Sequence, residues 1–222
     1  MSVFKKTLLF VPIFLIVTAG IIISFRIYQT DQAPPAKKTL PPTSHFSLAK
    51  APSDSVTGTI SSLTQTVKWE SRTATQAAPL SIPYPSIEQG ELLITDKNGE
   101  ATINFPTIGS VMLFPKTTLS FIQTLPLNFV VEQPEGEALY TKTGTVPISV
   151  RSLHLLINQN SGIMDVYVDK DLERVRVGME QGTATVAYND TDYTSHIVTV
   201  AEGTVFSFDD NTRTSIVLPY TN

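Results

Sequence analysis

The sequence predicts an all-β protein, a two-sheet β-sandwich or roll with solenoid-like stacking as a variant, preceded by one transmembrane helix. Three observations carry this. Between Ile87 and Ile122, short apolar-alternating runs recur about every ten residues, each broken by Gly, Asn or Pro, as in antiparallel hairpins. The same rhythm continues to Leu218. Near the start, Thr7–Phe25 is a run of nineteen residues without a charge.

Apolar residues make up 41% of the 222, enough for a packed core, and charged residues only 16%. Cysteine is absent, which removes disulfides, thiolate metal sites and thiol nucleophiles. The net charge of −4 is uneven: residues 1–54 carry +4 and residues 55–222 carry −8. An acidic globular part argues against nucleic acid, whose phosphates require clustered Lys and Arg.

Residues 1–6 form a short polar head with Lys5 and Lys6. Thr7–Phe25 would span roughly 28 Å as a helix, close to the ~30 Å hydrocarbon core. Thirteen of its residues are Leu, Ile, Val or Phe, each contributing about −0.3 to −0.6 kcal/mol near a helix centre. A cleaved signal ending at Val17-Thr18-Ala19 is the competing reading, but Ile21-Ile22-Ile23 extends the apolar run past that point. The expectation is an uncleaved anchor with the head in the cytoplasm. Residues 26–54 hold five prolines among Thr, Ser, Lys and Ala without periodicity and are expected to be a linker. Residues 55–222 are expected to form the β domain.

Val56–Ile60 and Gln65–Glu70 open that domain. Val67 and Trp69 share a face at period two, which places the chain's one tryptophan toward the core. Ser71–Pro85, with Pro79, Pro83 and Pro85, is expected to hold no regular element. Glu91–Thr95, Ala101–Phe105 and Val111–Phe114 are separated by turn residues at 96–99 and 106–109, and Leu119–Ile122 follows Pro115-Lys116-Thr117. Leu127–Val131, Ala138–Tyr140 and Ile148–Val150 come next. Leu153–Asn158 fits a strand or a helical turn. Ile163–Val168 and Arg174–Met179 form the clearest hairpin: Met164, Val166 and Val168 meet Val175, Val177 and Met179, and Asp165 and Tyr167 lie opposite Arg174 and Arg176 on the outer face. Thr183–Tyr188, Ile197–Val200, Thr204–Phe208 and Ser215–Leu218 complete the series, separated by turn residues at Asn189-Asp190, Glu202-Gly203 and Asp209-Asp210-Asn211. Val111, Leu113, Val175 and Val177 should point inward, whereas Met112 lies in a run that is apolar on both faces. Every glycine of the domain falls at a plausible turn. Gly99–Phe105 (GEATINF) recurs as Gly182–Tyr188 (GTATVAY), with Gly136–Tyr140 (GEALY) a shorter relative. These are either turn glycines opening strands or marks of stacked rungs.

Catalytic and metal chemistry finds little support. His45, His154 and His196 are scattered and lack metal-ligand spacing. No Gly-x-Ser-x-Gly elbow marks a nucleophile. Asp165, Asp169, Asp171 and Glu173 are the densest acidic group, yet without the EF-hand pattern they read as a solvated hairpin turn.

The residues from Gly90 to Leu119 read GELLITDKNGEATINFPTIGSVMLFPKTTL, and this pattern resembles the FecR-type domain. Gly90, Thr95, Gly99, Gly109, Ser110 and Pro115 match that family's turn positions. The resemblance continues through Val150-Arg151-Ser152, Val175–Met179 with Gly182, and Val198–Val205 with Gly203. It departs at Ser161–Val166, where the family's Gly-Thr-x-Phe-x-Val keeps only its Gly and final Val. The resemblance implies a bacterial, extracytoplasmic envelope domain whose glycines are structural. Regulatory members relay a signal to a cytoplasmic sigma factor through a cytoplasmic N-terminal domain; with six residues before the apolar run, that role is expected to have no carrier.

The expected protein is a single-pass module of the cytoplasmic membrane with its β domain outside. It is expected to be no enzyme, with no catalytic residue, cofactor or metal, and to bind envelope proteins or alternatively a cell-wall or surface polysaccharide. Protein binding should go with exposed apolar or edge-strand surface, and sugar binding with an exposed Tyr or Trp beside acids and amides in a groove.

Overall fold

The computed structural model describes residues 50–220. The expected head, the transmembrane helix at 7–25 and all of the linker but residues 50–54 lie outside them. No described segment is a helix long and apolar enough to cross a membrane.

The described residues are all-β. The strands are β1 Thr59–Thr64, β2 Val67–Glu70, β3 Ala78–Pro79, β4 Leu92–Thr95, β5 Glu100–Phe105, β6 Gly109–Leu113, β7 Thr118–Leu125, β8 Asn128–Lys142, β9 Ile148–Ser152, β10 Leu155–Asp169, β11 Arg174–Asn189, β12 Ser195–Ala201, β13 Thr204–Asp209 and β14 Thr214–Pro219. Leu153–Asn158 thus resolves as a turn leading into a strand. The proline-rich stretch contains the two-residue β3, which pairs with β2.

One continuous open sheet replaces the two separate sheets expected. Its main path runs β14–β13–β11–β10–β9–β8–β7–β4–β2–β3, with β1, β5, β6 and β12 branching from it. The reason lies in three long strands. β8, β10 and β11 have 15, 15 and 16 residues, well beyond the usual five or six, where the sequence suggested five short strands and the ambiguous run Leu153–Asn158. Each changes partners halfway. β8 pairs with β7 and β9 in its first half, then with β6 and β10 from Gly136 onward. β11 pairs with β13 before Gly182 and with β12 after it.

Gly136, Gly162 and Gly182 are therefore bends inside strands and not turns between them. Gly162 and Gly182 face each other across the β10–β11 ladder, with φ of 80° and 81°. A Cβ on Gly162 would lie 2.1 Å from the Gln181 carbonyl oxygen, and one on Gly182 would lie 2.4 Å from that of Ser161. Neither position has room for another residue.

The bends fold the sheet's apolar face onto itself. Phe105 of β5 lies 4.8 Å, ring centre to ring centre, from Phe129 of β8, although those strands share no ladder. Tyr188, at the end of β11, reaches Phe208 of β13 at 4.9 Å. Val111, Leu113, Val175 and Val177 are buried in this core, as period two requires. Met164, Val166 and Val168 pair with Met179, Val177 and Val175. Met112 is half-buried. Trp69 is half-buried against the core and donates from Nε1 to Glu91 Oε2 at 3.0 Å.

Two buried glutamines stabilise the bends. Each sits three residues before a bend glycine. Gln133 Nε2 donates to the carbonyls of Gly136 and Val166, and Gln159 Nε2 donates to those of Gly162 and Tyr140. A side-chain amide supplies donors where the bent backbone cannot. Tyr140 Oη completes the first set, donating to Gln133 Oε1 at 2.8 Å. Thr95, a residue of the FecR-type pattern, has a parallel use: its hydroxyl donates to the Phe114 carbonyl and accepts from the Thr117 amide, tying β4 to the β6–β7 turn.

The outer face of the β10–β11 hairpin differs from expectation at one position. Tyr167 lies opposite Arg176, whose guanidinium stands 5.5 Å from the ring centre. Asp165, however, faces Gly178, and Arg174 pairs with Asp169. The four-residue turn at 170–173 fixes a register in which Asp165 has no cationic neighbour directly opposite.

Candidate functional site

The β9–β10 turn, the end of β11 and the start of β12 enclose a solvent-open groove of about 620 Å³. Its outer-face floor follows from register. Arg151 lies opposite Leu156, Leu156 opposite Ala187, and Ala187 opposite Ile197, so one rank crosses four strands. Leu156 is 42% exposed and Ile197 76%. Two large apolar side chains thus stand open in one rank of a solvated face, with the small Ala187 between them.

Polar groups frame this strip. His154 and His196, distant in sequence, both line the groove. His154 Nδ1 lies 2.9 and 2.8 Å from the two carboxylate oxygens of Asp210, a buried residue of the β13–β14 turn. His196 Nε2 is 2.7 Å from Asp190 Oδ2. The His196 hydrogen bond, followed by the amide of Thr194, holds the Asp190 carboxyl below its ordinary pKa, so Asp190 accepts and His196 donates. The His196 ring also stacks on Tyr188 at 5.1 Å. Each carboxylate fixes one ring nitrogen and leaves the other directed elsewhere.

Neither histidine is joined to a nucleophile among the described residues. Ser195 Oγ donates to Asn189 Oδ1, and Tyr188 Oη is engaged with Ser215 Oγ. No three His, Asp or Glu side chains converge as a metal site among the described residues. The acidic group splits: Asp169 Oδ1 accepts the amides of Asp171 and Leu172 at the hairpin turn, while Asp165 is buried farther along the strand. His45 lies outside the described residues.

Sequence reasoning did not find this groove. Its histidines were visible, but their partners Asp190 and Asp210 read as turn punctuation. The cue was the strand parity of Ile197 and Leu156, which sets both on the face away from the core.

The tyrosines separate the two kinds of ligand expected. Tyr140 is fully buried, and Tyr167 and Tyr188 are half-buried. Tyr188 already has its ring against His196 and Phe208. Tyr193 is 87% exposed, but it sits at the tip of the β11–β12 hairpin and does not line the groove. The groove therefore offers aliphatic side chains and lacks a free aromatic platform. Beside it, β12 hydrogen-bonds to β11 alone among the described strands.

No family model matches the chain, and no curated protein does. Two crystal structures of a candidate anti-sigma factor from Parabacteroides distasonis ATCC 8503 are similar to it in structure. Each has a TM-score of 0.49, with 16% and 15% identity, and the similarity covers 58% of this chain. The match spans 59% of the length of those proteins.

Proposed function

We propose that the β domain is a non-catalytic docking module of the bacterial cell envelope, held at the cytoplasmic membrane by residues 7–25 and related to the FecR-type domains. Its occupant is an extended segment of a partner protein. That segment pairs with the open edge of β12 and seats apolar side chains between Leu156 and Ile197. The observation that carries this reading is the coincidence of the aliphatic groove with an edge strand that bears no Lys, Arg, Asp or Glu from Ser195 to Ala201. Charged residues and prolines normally guard such edges against strand addition, and an unguarded edge beside a groove is what β-augmentation uses. The envelope address rests on the apolar run and on the turn pattern from Gly90 to Pro115.

The test is retention of a partner by full-length chain extracted in mild detergent. A partner retained by the native chain and lost on Ile197→Asp supports docking in the groove. Retention on purified cell-wall polymer alone favours a polysaccharide ligand, and turnover of glycoside or peptide substrates contradicts both.

A further inference from the structure

A second outer-face feature is built around the C-terminal strand. In β6, β8, β10, β11, β13 and β14, register aligns Met112, Leu139, Asp165, Gly178, Val205 and Leu218 in one rank. Asp165 is only 8% exposed, and its Oδ1 has no hydrogen-bond partner among the described residues. Gly178, directly across the ladder from it, is buried under the ring of Tyr220: a Cβ on Gly178 would lie 2.5 Å from Tyr220 Cε2. The Tyr220 amide donates to the Gly203 carbonyl at 2.7 Å, which holds the ring in place. Between this anchor and the body, β14 pairs with β13 alone among the described strands, Ser215 Oγ meets Tyr188 Oη at 2.8 Å, and Ile216, Val217 and Leu218 are all exposed.

We propose that residues 214–220 form a strap that closes over Asp165 through Tyr220 and lifts when the Asp165 carboxyl loses its proton. A glycine at 178 leaves the space the ring needs, and the uncharged carboxyl is the form that a covered, apolar seat accepts. Glu137 of β8 and Glu180 of β11 face Asp165 and oppose its ionisation, and Arg176 of β11 favours it. Tyr167 lies two residues along the same strand, and Tyr140 points to the inner side, where it bonds Gln133. Burial, then Glu137, raises the Asp165 carboxyl from 3.8 to about 7. A carboxyl so raised holds its proton when covered and releases it more readily when solvated. The closed strap is favoured in acid, and its advantage is lost as pH rises toward and through about 7.

The experiment is hydrogen exchange of the full-length chain, followed by mass spectrometry of peptides covering residues 214–220, at pH 6 and pH 8 and corrected for intrinsic rate. The expected result is protection lower by about tenfold at pH 8, with peptides from β5 and β8 unchanged. Asp165→Asn, close in shape and neutral, should abolish the difference and keep the strap protected at both pH values. Glu137→Gln removes a charge that opposes ionisation of Asp165; across a pH series it should retain the difference and move its midpoint to lower pH. Equal protection of the native strap at both pH values would overturn the proposal, as would an undiminished difference in Asp165→Asn.

Discussion

Gly162 of β10 and Gly182 of β11 face each other across an antiparallel ladder, both in the left-handed region. At this pair two long strands bend together, and the sheet turns from one layer toward the next. Gly162→Ala or Gly182→Ala meets both a conformational cost of about 1–2 kcal/mol and a clash with a backbone oxygen. Gly203 has a similar φ of 71° but nothing within 4 Å of its Cβ position. Thermal melts should therefore show the Gly162 variant losing clearly more stability than Gly203→Ala. Equal losses would mean that the bend has room to relax.

A second prediction concerns the glutamine that supports the first bend. Tyr140→Phe removes the donor to buried Gln133 Oε1 and should cost about 1–3 kcal/mol, the usual penalty for a buried polar atom left unpaired. Adding Gln133→Leu would remove the donors to Gly136 and Val166 as well. A double-mutant cycle should show strong coupling between the two positions, and additive losses would contradict the shared network.

Val175 tests the orientation of the sheet. It is fully buried and pairs with Val168 and Phe208. Val175→Asp should destabilise the protein by several kcal/mol, since an unpaired charge would enter the core. An unchanged melting midpoint would show that this face is open to solvent.

Much of the fold was legible because the apolar residues of the core keep period two along their strands. Val111 and Leu113, or Met164, Val166 and Val168, announce the inner face without reference to their neighbours. Continuity was not legible. Glycine in a turn and glycine in a strand bend look alike in sequence, and only the paired partner tells them apart. Gly136, Gly162 and Gly182 therefore suggested breaks where the strands run on. The echo between Gly136–Tyr140 and Gly182–Tyr188 does have a structural counterpart, because both begin at a bend, whereas Gly99 closes a turn through its amide to the Asp96 carbonyl. The groove was hidden for another reason: His196–Asp190 is local to the β11–β12 hairpin, but His154 and Asp210 lie on two turns far apart in sequence, which only the folded sheet brings together.

Asp165 links pH to global stability as well as to the strap. Its folded pKa is raised to about 7 from 3.8. The folded state thus holds a proton that the unfolded chain releases, and this contribution is lost as pH rises from about 4 through about 7. Asp165→Asn does not pay that cost. Its melting midpoint relative to native should rise between pH 5 and pH 8, by an amount corresponding to at most a few kcal/mol. A constant difference across that range would contradict a buried, proton-holding carboxyl.

Occupation of the groove between Leu156 and Ile197 by a partner protein can be read by site-specific crosslinking. A photoreactive side chain would be placed at Ile197, and as a control at Leu172, which is 57% exposed on the β10–β11 turn. The account predicts a discrete protein adduct from position 197, no such adduct from 172, and loss of the 197 adduct when Leu156→Asp is added to a chain with an unchanged melting midpoint. Equal labelling from both positions, or an adduct at 197 that survives Leu156→Asp undiminished, would contradict it.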